Sequence, residues 1–151
     1  MASLGDLLPE EFKKKFAAQN ITVGTVIKCF VKNTNPPKEK RFVVLGIDSE
    51  GNLIGVVFIN SDINWNVIRT QELAQLQHYV TKDENEYLDW DSYIDCSDLF
   101  ELPYNDVYTS IQNKPQSVLG TVSSDDLKTI KEHIKKSPKI KPKLLKKYKL
   151  D

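Results

Sequence analysis

The chain has 151 residues, of which 21 are basic and 21 acidic, so its formal net charge is zero. That length is enough for one domain with a real core, and the charge balance excludes a protein that binds polyanions over its whole surface. The sequence contains no apolar run long enough to span a membrane and no N-terminal signal segment, so we expect a soluble, cytoplasmic protein with no membrane partner. Cys29 and Cys96 are too few for a disulfide framework and are predicted to be buried thiols in a reducing compartment.

The first predicted elements are a helix and a strand. Acids followed by lysines after Pro9 predict an N-terminal helix over 9–19, which a loose lead-in over 1–8 precedes. Apolar residues over 21–31 predict the first strand. Two prolines then indicate an exposed loop over 32–37, because proline cannot donate a ladder hydrogen bond.

A β-hairpin is predicted at the centre of the chain. Arg41 to Ile47 and Leu53 to Ile59 are two apolar runs on either side of a turn in which Gly51 can adopt a positive φ. Since both runs are apolar at most positions, the two strands are predicted to be covered on both faces. Their polar outer ends lie side by side in an antiparallel pair. This rim is the candidate site, and its polar residues are Lys38, Glu39, Lys40, Arg41, Asn60 and Ser61.

The second half of the chain mixes helical and strand-like patterns. An insertion near 62–90 contains a predicted helix over 69–78, and its Trp65 and Arg69 join Lys38 and Lys40 as expected substrate-binding residues. Trp65 is also typical of a core or lid residue. Brief alternation over 87–102 predicts further strands, and a capping box with a buried stripe predicts a last helix over 124–136.

Charge is segregated in this half. Nine acids and no base lie between Asp83 and Asp106, while eight lysines and no acid lie between Lys135 and Lys149. The acidic stretch lacks the spacing of a calcium loop, so we interpret it as a solvated face and expect neither metal nor cofactor. Two interpretations remain for the lysines. They form either a mobile, solubilising tail or a mobile cationic arm whose affinity for nucleic acid falls with salt.

Three segments, in this order, resemble the PemK/MazF-like family of bacterial toxin endoribonucleases. Val23 to Ile27 is similar to the family's opening G-D-I/V strand, Lys40 to Leu45 to its x-R-P-V-V-V strand, and Ser97 to Leu127 to its C-terminal segment. The resemblance covers about residues 22–136. It implies a mainly β fold with accessory helices, a small half-open SH3-like antiparallel barrel of about five to seven strands. A single domain over 1–136 would then be followed by a lysine-rich tail over 137–151.

The same resemblance implies an activity, which is metal-independent cleavage of single-stranded RNA by attack of the 2′-hydroxyl on its own phosphate. Arg41 matches the family's arginine and would hold two phosphoryl oxygens with its planar fork. Asn60 or Ser61 falls where the family has a catalytic threonine. Phe42 replaces the family's proline. A cognate antitoxin protein and a second copy of the chain are the protein partners that the resemblance implies.

Two alternatives use the same residues differently. A non-catalytic module on the same barrel would bind RNA or DNA through the rim and the lysines. A protein-interaction domain, of the kind that phages or mobile elements carry as accessory proteins, would instead use the acidic face.

Overall fold

A computed structural model describes residues 9–32, 34 and 36–151. The lead-in over 1–8 and positions 33 and 35 of the predicted proline loop lie outside the described residues. In chain order the helices and strands are α1 (Glu10–Asn20), β1 (Thr25–Val31), β2 (Lys38–Ile47), β3 (Leu53–Asn60), α2 (Gln71–Ala74), β4 (Gln77–Val80), β5 (Ser92–Asp95), β6 (Phe100–Pro103), α3 (Tyr104–Asn113), β7 (Val118–Thr121), α4 (Ser124–Lys136) and α5 (Pro142–Lys147).

The described strands form one antiparallel sheet, as the sequence predicts. Its order is β4-β5-β3-β2-β1-β7, and β6 pairs with β3 beside β5. β3 therefore has two partners on one side, since its first half pairs with β6 and its last two residues pair with β5. Every strand pair in the described chain is antiparallel. Within that part of the chain the sheet is open, because β4 and β7 lie at its two edges and do not close it into a barrel.

Each face of the sheet carries its own apolar cluster. Successive side chains of a strand point to opposite faces, so Val43 and Val57 enter one cluster while Phe42 and Phe58 enter the other. We call these the α4 face and the α3 face, after a helix that covers each: α4 supplies Ile130 to the first, and α3 supplies Ile111 to the second. The prediction that the hairpin strands are covered on both faces is confirmed.

The hairpin turn also matches its prediction. Gly51 has φ +73°, a conformation that favours glycine. The Asp48 carboxylate accepts hydrogen bonds from the backbone N–H groups of Asn52 at 2.8 Å and Leu53 at 3.2 Å. These bonds fix the turn, and they hold β2 and β3 in the register that pairs Arg41 with Ile59 at the other end.

The expectation that prolines keep the C-terminal segment mobile is wrong. Pro142 occupies the first turn of α5, where its missing N–H would have no helical partner in any case. Leu145, Tyr148 and Leu150 are buried in the cluster on the α4 face. The proposed boundary at 136 therefore separates two parts that share one core.

The ring of Tyr148 lies over a pair of facing glycines in the hairpin. Gly46 and Gly55 are opposite each other in the β2–β3 ladder. A Cβ on Gly55 would be 3.0 Å from ring carbons of Tyr148, and one on Gly46 would be 3.1 Å from the Cβ of that tyrosine. The tyrosine hydroxyl donates to Oε2 of Glu101 at 2.8 Å. We call this arrangement the glycine slot.

The helix predictions have mixed outcomes. Those over 9–19 and 124–136 are confirmed by α1 and α4. The one over 69–78 is wrong, because only Gln71–Ala74 is helical and Gln77 already pairs with Asp95 in the sheet. Pairing with a neighbouring strand overrides the local pattern there. α3 was not predicted at all. None of the described helices has the length and apolar character needed to cross a membrane.

Candidate functional site

A cleft of about 590 Å³ lies over the outer ends of β2 and β3, where the sequence analysis places the candidate site. Residues from β1 and β5 and from the loop after β3 also line it. Its polar lining residues are Lys28, Thr34, Lys38, Glu39, Lys40, Arg41, Asn60, Ser61, Asp62, Asn64, Gln77, Ser92 and Asp95. Five of the seven residues predicted for the site are therefore brought together, namely Lys38, Lys40, Arg41, Asn60 and Ser61.

The two central cations approach the cleft from opposite faces of the sheet. Arg41 pairs with Ile59 and lies on the α4 face with Val43. Lys40 precedes it in the strand and thus lies on the α3 face, where its Nζ donates to Oδ1 of Asn60. The outer ends of the two strands thus lie together, and Lys40 and Arg41 reach the cleft from opposite faces of the sheet.

Lys40 is held in a half-buried position. Its ammonium group lies 5.2 Å from the centre of the Phe58 ring, in a cation–π contact. Burial lowers the pKa of Lys40 and the neighbouring charge of Lys38 lowers it further, while Asp95 acts in the opposite direction. A lowered pKa makes this amine a better proton donor than a solvated lysine.

Arg41 is engaged by a carboxylate from another segment. Its Nη2 donates to Oδ2 of Asp89 at 2.5 Å, and the arginine side chain is only 16% exposed while that of Asp89 is 62% exposed. The hydrogen bond and the charge of Arg41 lower the pKa of Asp89. The Nε of Arg41 is buried and has no hydrogen-bond partner within the described chain. The guanidinium thus presents further donors besides the one that Asp89 occupies.

On the β5 side, the wall of the cleft is a hydrogen-bonded network. Oδ1 of Asp95 accepts from Nε2 of Gln77 at 2.7 Å and from Oγ of Ser97 at 2.5 Å. Asp62 is exposed in the cleft, and the described residues give it no ion pair. With four basic residues and three acidic ones in the lining, the cleft is close to neutral rather than strongly cationic.

Two predicted binding residues do not line the cleft. Trp65 is 65% exposed, and Arg69 donates from its Nε to the backbone oxygen of Asn66 at 2.8 Å. His78 does not line the cleft either, and its Nε2 contacts Oδ1 of Asp126 at 2.8 Å. It pairs with Ile94 of β5, so it lies on the α4 face.

Sequence reasoning missed several residues that the fold brings to the cleft. Trp90 is 56% exposed and lines it, together with Phe58, Phe100, Gln77 and Asp95. Trp90 directly follows Asp89, so one loop supplies both the arginine's partner and an exposed aromatic wall. Phe58 is on β3 of the hairpin itself, but no local signal marks the other four, since they reach the cleft only through the pairing of β3 with β5 and β6 and of β5 with β4.

Within the described residues, no group of three or more histidine, cysteine, aspartate or glutamate side chains is arranged to hold a metal ion. Cys29 and Cys96 are both buried and free, and burial raises the pKa of Cys29 to about 11. Neither thiol is therefore poised as a nucleophile.

No protein-family model matches the chain, and no curated protein matches it in sequence.

Proposed function

We propose that the cleft binds single-stranded RNA and cleaves it by attack of the 2′-hydroxyl on the adjacent phosphate, as the toxin endoribonucleases that the sequence resembles do. The observation that carries the proposal is the meeting of Arg41, Lys40 and Asn60 in one cleft at the outer end of the hairpin. An arginine, a lysine of lowered pKa and a side-chain amide are groups that can bind a phosphate and move a proton.

In this mechanism Arg41 stabilises charge on the phosphoryl oxygens. RNA would replace Asp89 on Nη2, and the other N–H groups of the guanidinium that face the cleft offer further donors. The amide nitrogen of Asn60 adds a neutral donor, because its oxygen already accepts from Lys40. The hydroxyl of Ser61 can donate beside it.

The reaction also needs a group that removes a proton and a group that supplies one. We assign removal of the 2′-hydroxyl proton to the carboxylate of Asp62. Lys40 would protonate the leaving 5′-oxygen, a role for which its lowered pKa is suited. Lys38 contributes charge near the phosphate, and Trp90 provides a face on which a base can stack.

We extend the proposal to fold and partners. The antiparallel path through β1, β2, β3 and β5 supports a divergent version of the half-open SH3-like barrel, opened in this chain at β4 and β7. An antitoxin protein covering the cleft and a homodimer are the protein partners that this family relationship would bring.

A ribonuclease assay on mixed RNA, with a chelator present, tests the activity. We expect products that end in a 2′,3′-cyclic phosphate, because attack by the 2′-hydroxyl leaves that group. Expression of the intact chain should stop bacterial growth, and Arg41→Ala should restore it. Uncut RNA together with unimpaired growth would reject the enzymatic proposal.

A second candidate function is binding of nucleic acid without cleavage. The contact between Arg41 and Asp89 favours it, because the guanidinium is already paired with a carboxylate from the same chain. The same assay separates the two candidates. Retention of intact RNA in the cleft, lost in Arg41→Ala, would select this second function.

A further inference from the structure

The C-terminal part of the chain is rich in exposed lysine. All eight lysines between Lys135 and Lys149 are exposed, and no acidic residue lies between them in the sequence. They are Lys135, Lys136, Lys139, Lys141, Lys143, Lys146, Lys147 and Lys149. We call this surface the lysine face. It contrasts with the cleft, where acids nearly balance the bases.

The lysine face is carried by a docked segment. α5 is anchored by Leu145, and Tyr148 and Leu150 follow it into the core. The ring of Tyr148 lies in the glycine slot. The backbone under the lysines is therefore held in place, so binding there would not have to order a flexible arm.

Most of these charges are not neutralised by the protein itself. Lys139 pairs with Asp98 at 3.3 Å and Lys147 with Glu101 at 2.5 Å. The other six lysines have no ion pair with any described residue. These six like charges all lie within residues 135–149, so they repel one another, and a polyanion relieves that repulsion.

The composition of the lysine face indicates which kind of negatively charged partner it can bind. Its large apolar side chains, Ile140, Leu145, Tyr148 and Leu150, are buried, and from 122 to 151 the described chain exposes no large apolar side chain. A membrane surface is disfavoured because nothing apolar can enter the lipid boundary. A protein partner is disfavoured because the cores of protein interfaces are apolar and poor in lysine.

We propose that the lysine face is a second, sequence-independent site for the phosphate backbone of nucleic acid, separate from the cleft. Lysine binds phosphate as a point charge, and contacts to phosphate carry no sequence information. The glycine slot lies five residues along β2 from Arg41, or about 17 Å at roughly 3.3 Å per residue. A strand of several nucleotides can span that distance, so the face would hold nucleic acid while the cleft acts on it.

The test uses single-stranded DNA of mixed sequence, which has the backbone phosphates but lacks the 2′-hydroxyl needed for cleavage. Dissociation constants are measured over a series of salt concentrations for the full chain and for the triple variant Lys141→Gln, Lys143→Gln, Lys146→Gln. If the three lysines each contact a phosphate, the slope of log affinity against log salt should become shallower by about two units. Loss of activity in the cleft would leave this result unchanged, so the proposal can fail or hold independently of the proposed function.

The matched control is Lys13→Gln, Lys14→Gln, Lys15→Gln on α1, which makes the same change in net charge elsewhere. It should keep the slope of the unmodified chain, as should the triple variant Lys141→Arg, Lys143→Arg, Lys146→Arg, which preserves the charge. Equal slopes for all variants, or an equal loss in the α1 control, would overturn the proposal. The last measurement is binding of the full chain and the triple glutamine variant to vesicles of anionic phospholipid. We expect no binding that depends on the three lysines, and vesicle binding lost only in the triple variant would reassign the face to a membrane surface.

Discussion

The two ends of the β2–β3 hairpin belong to one ladder, but the turn end is covered by another part of the chain and the outer end borders an open cleft. At the turn end, Gly46 faces Gly55, and the missing side chains make room for the ring of Tyr148. At the outer end, Lys40 and Asn60 are hydrogen-bonded across the same ladder, beside an open cleft. The C-terminal segment of the chain thus fills the glycine slot, whereas the polar cleft at the outer end stays exposed.

Residues at the turn end should therefore contribute mainly to stability, and residues at the outer end mainly to ligand binding. A tyrosine in the glycine slot adds buried apolar area and fixes the C-terminal segment, so changes there should affect folding. Charged groups around an open cleft add little to stability, because solvent screens them. Changes there should affect ligands instead. Each prediction below tests that division.

The largest expected effect is on stability at the glycine slot. Tyr148→Ala removes a side chain that is 3% exposed, which should lower the free energy of unfolding by about 3–5 kcal/mol. Gly55→Ala places a Cβ 3.0 Å from that ring and should cost about 1–3 kcal/mol. Denaturant unfolding of both single variants and the double variant checks this. The alanine at 55 should cost less when Tyr148 is absent, and strictly additive losses would contradict the contact.

Arg41 should dominate catalysis. Arg41→Ala should lower the cleavage rate by about a hundred- to a thousandfold, because a charge-stabilising donor is lost. Arg41→Lys should be nearly as damaging, since a point charge cannot reproduce the guanidinium fork. Single-turnover cleavage of RNA measures both, with Arg69→Ala as a control outside the cleft. Rates within a factor of about three of the unmodified chain would remove Arg41 from the mechanism.

A smaller effect is expected at Asp89. Asp89→Asn keeps the shape of the side chain but removes the charge that competes for Arg41, so RNA should bind a few-fold more tightly. Asp91→Asn, two residues along the same loop, changes the charge equally without touching the arginine. Titration of a 2′-O-methyl RNA compares them. Weaker binding in Asp89→Asn would show instead that the carboxylate positions the arginine for RNA.

The smallest effect concerns pH. Burial raises the pKa of Glu101, but hydrogen bonds from Lys147 and Tyr148 lower it, and the lowering prevails. A carboxylate whose folded pKa is below its unfolded value stabilises the fold above the ordinary glutamate pKa of about 4.3. That contribution is lost as pH falls through the lowered value. Melting temperatures across this acidic range should therefore fall less steeply for Glu101→Gln, and parallel curves would contradict the linkage.

The hairpin and the two long helices could be predicted because their signals are local. β-Branched runs around a glycine-containing turn predicted β2 and β3, and a capping residue with a buried stripe predicted α4. The C-terminal segment was misjudged for the opposite reason. Its prolines and lysines are typical of a mobile segment. Its docking depends instead on Gly46 and Gly55, which lie about a hundred residues earlier in the chain.

The cleft was predictable in part for the same reason. Lys40, Arg41 and Asn60 are at the ends of paired strands, so the hairpin alone brings them together. Asp89, which contacts Arg41, and Trp90, which lines the cleft, could not be found in this way. Both are in a loop before β5, and β5 reaches β3 only through long-range pairing. The opposite faces of Lys40 and Arg41 follow from strand alternation alone, because the two residues are consecutive in β2.

Amide chemical-shift mapping by NMR tests the division between the two hairpin ends most directly. A short 2′-O-methyl RNA, which cannot be cleaved, is titrated into the full chain at raised salt so that the lysine face contributes little. The amides of Lys40, Arg41, Asn60 and Gln77 should shift, and those of Gly46 and Gly55 should not. Shifts centred on the two glycines, or none at the outer end, would contradict the assignment of the cleft as the functional site.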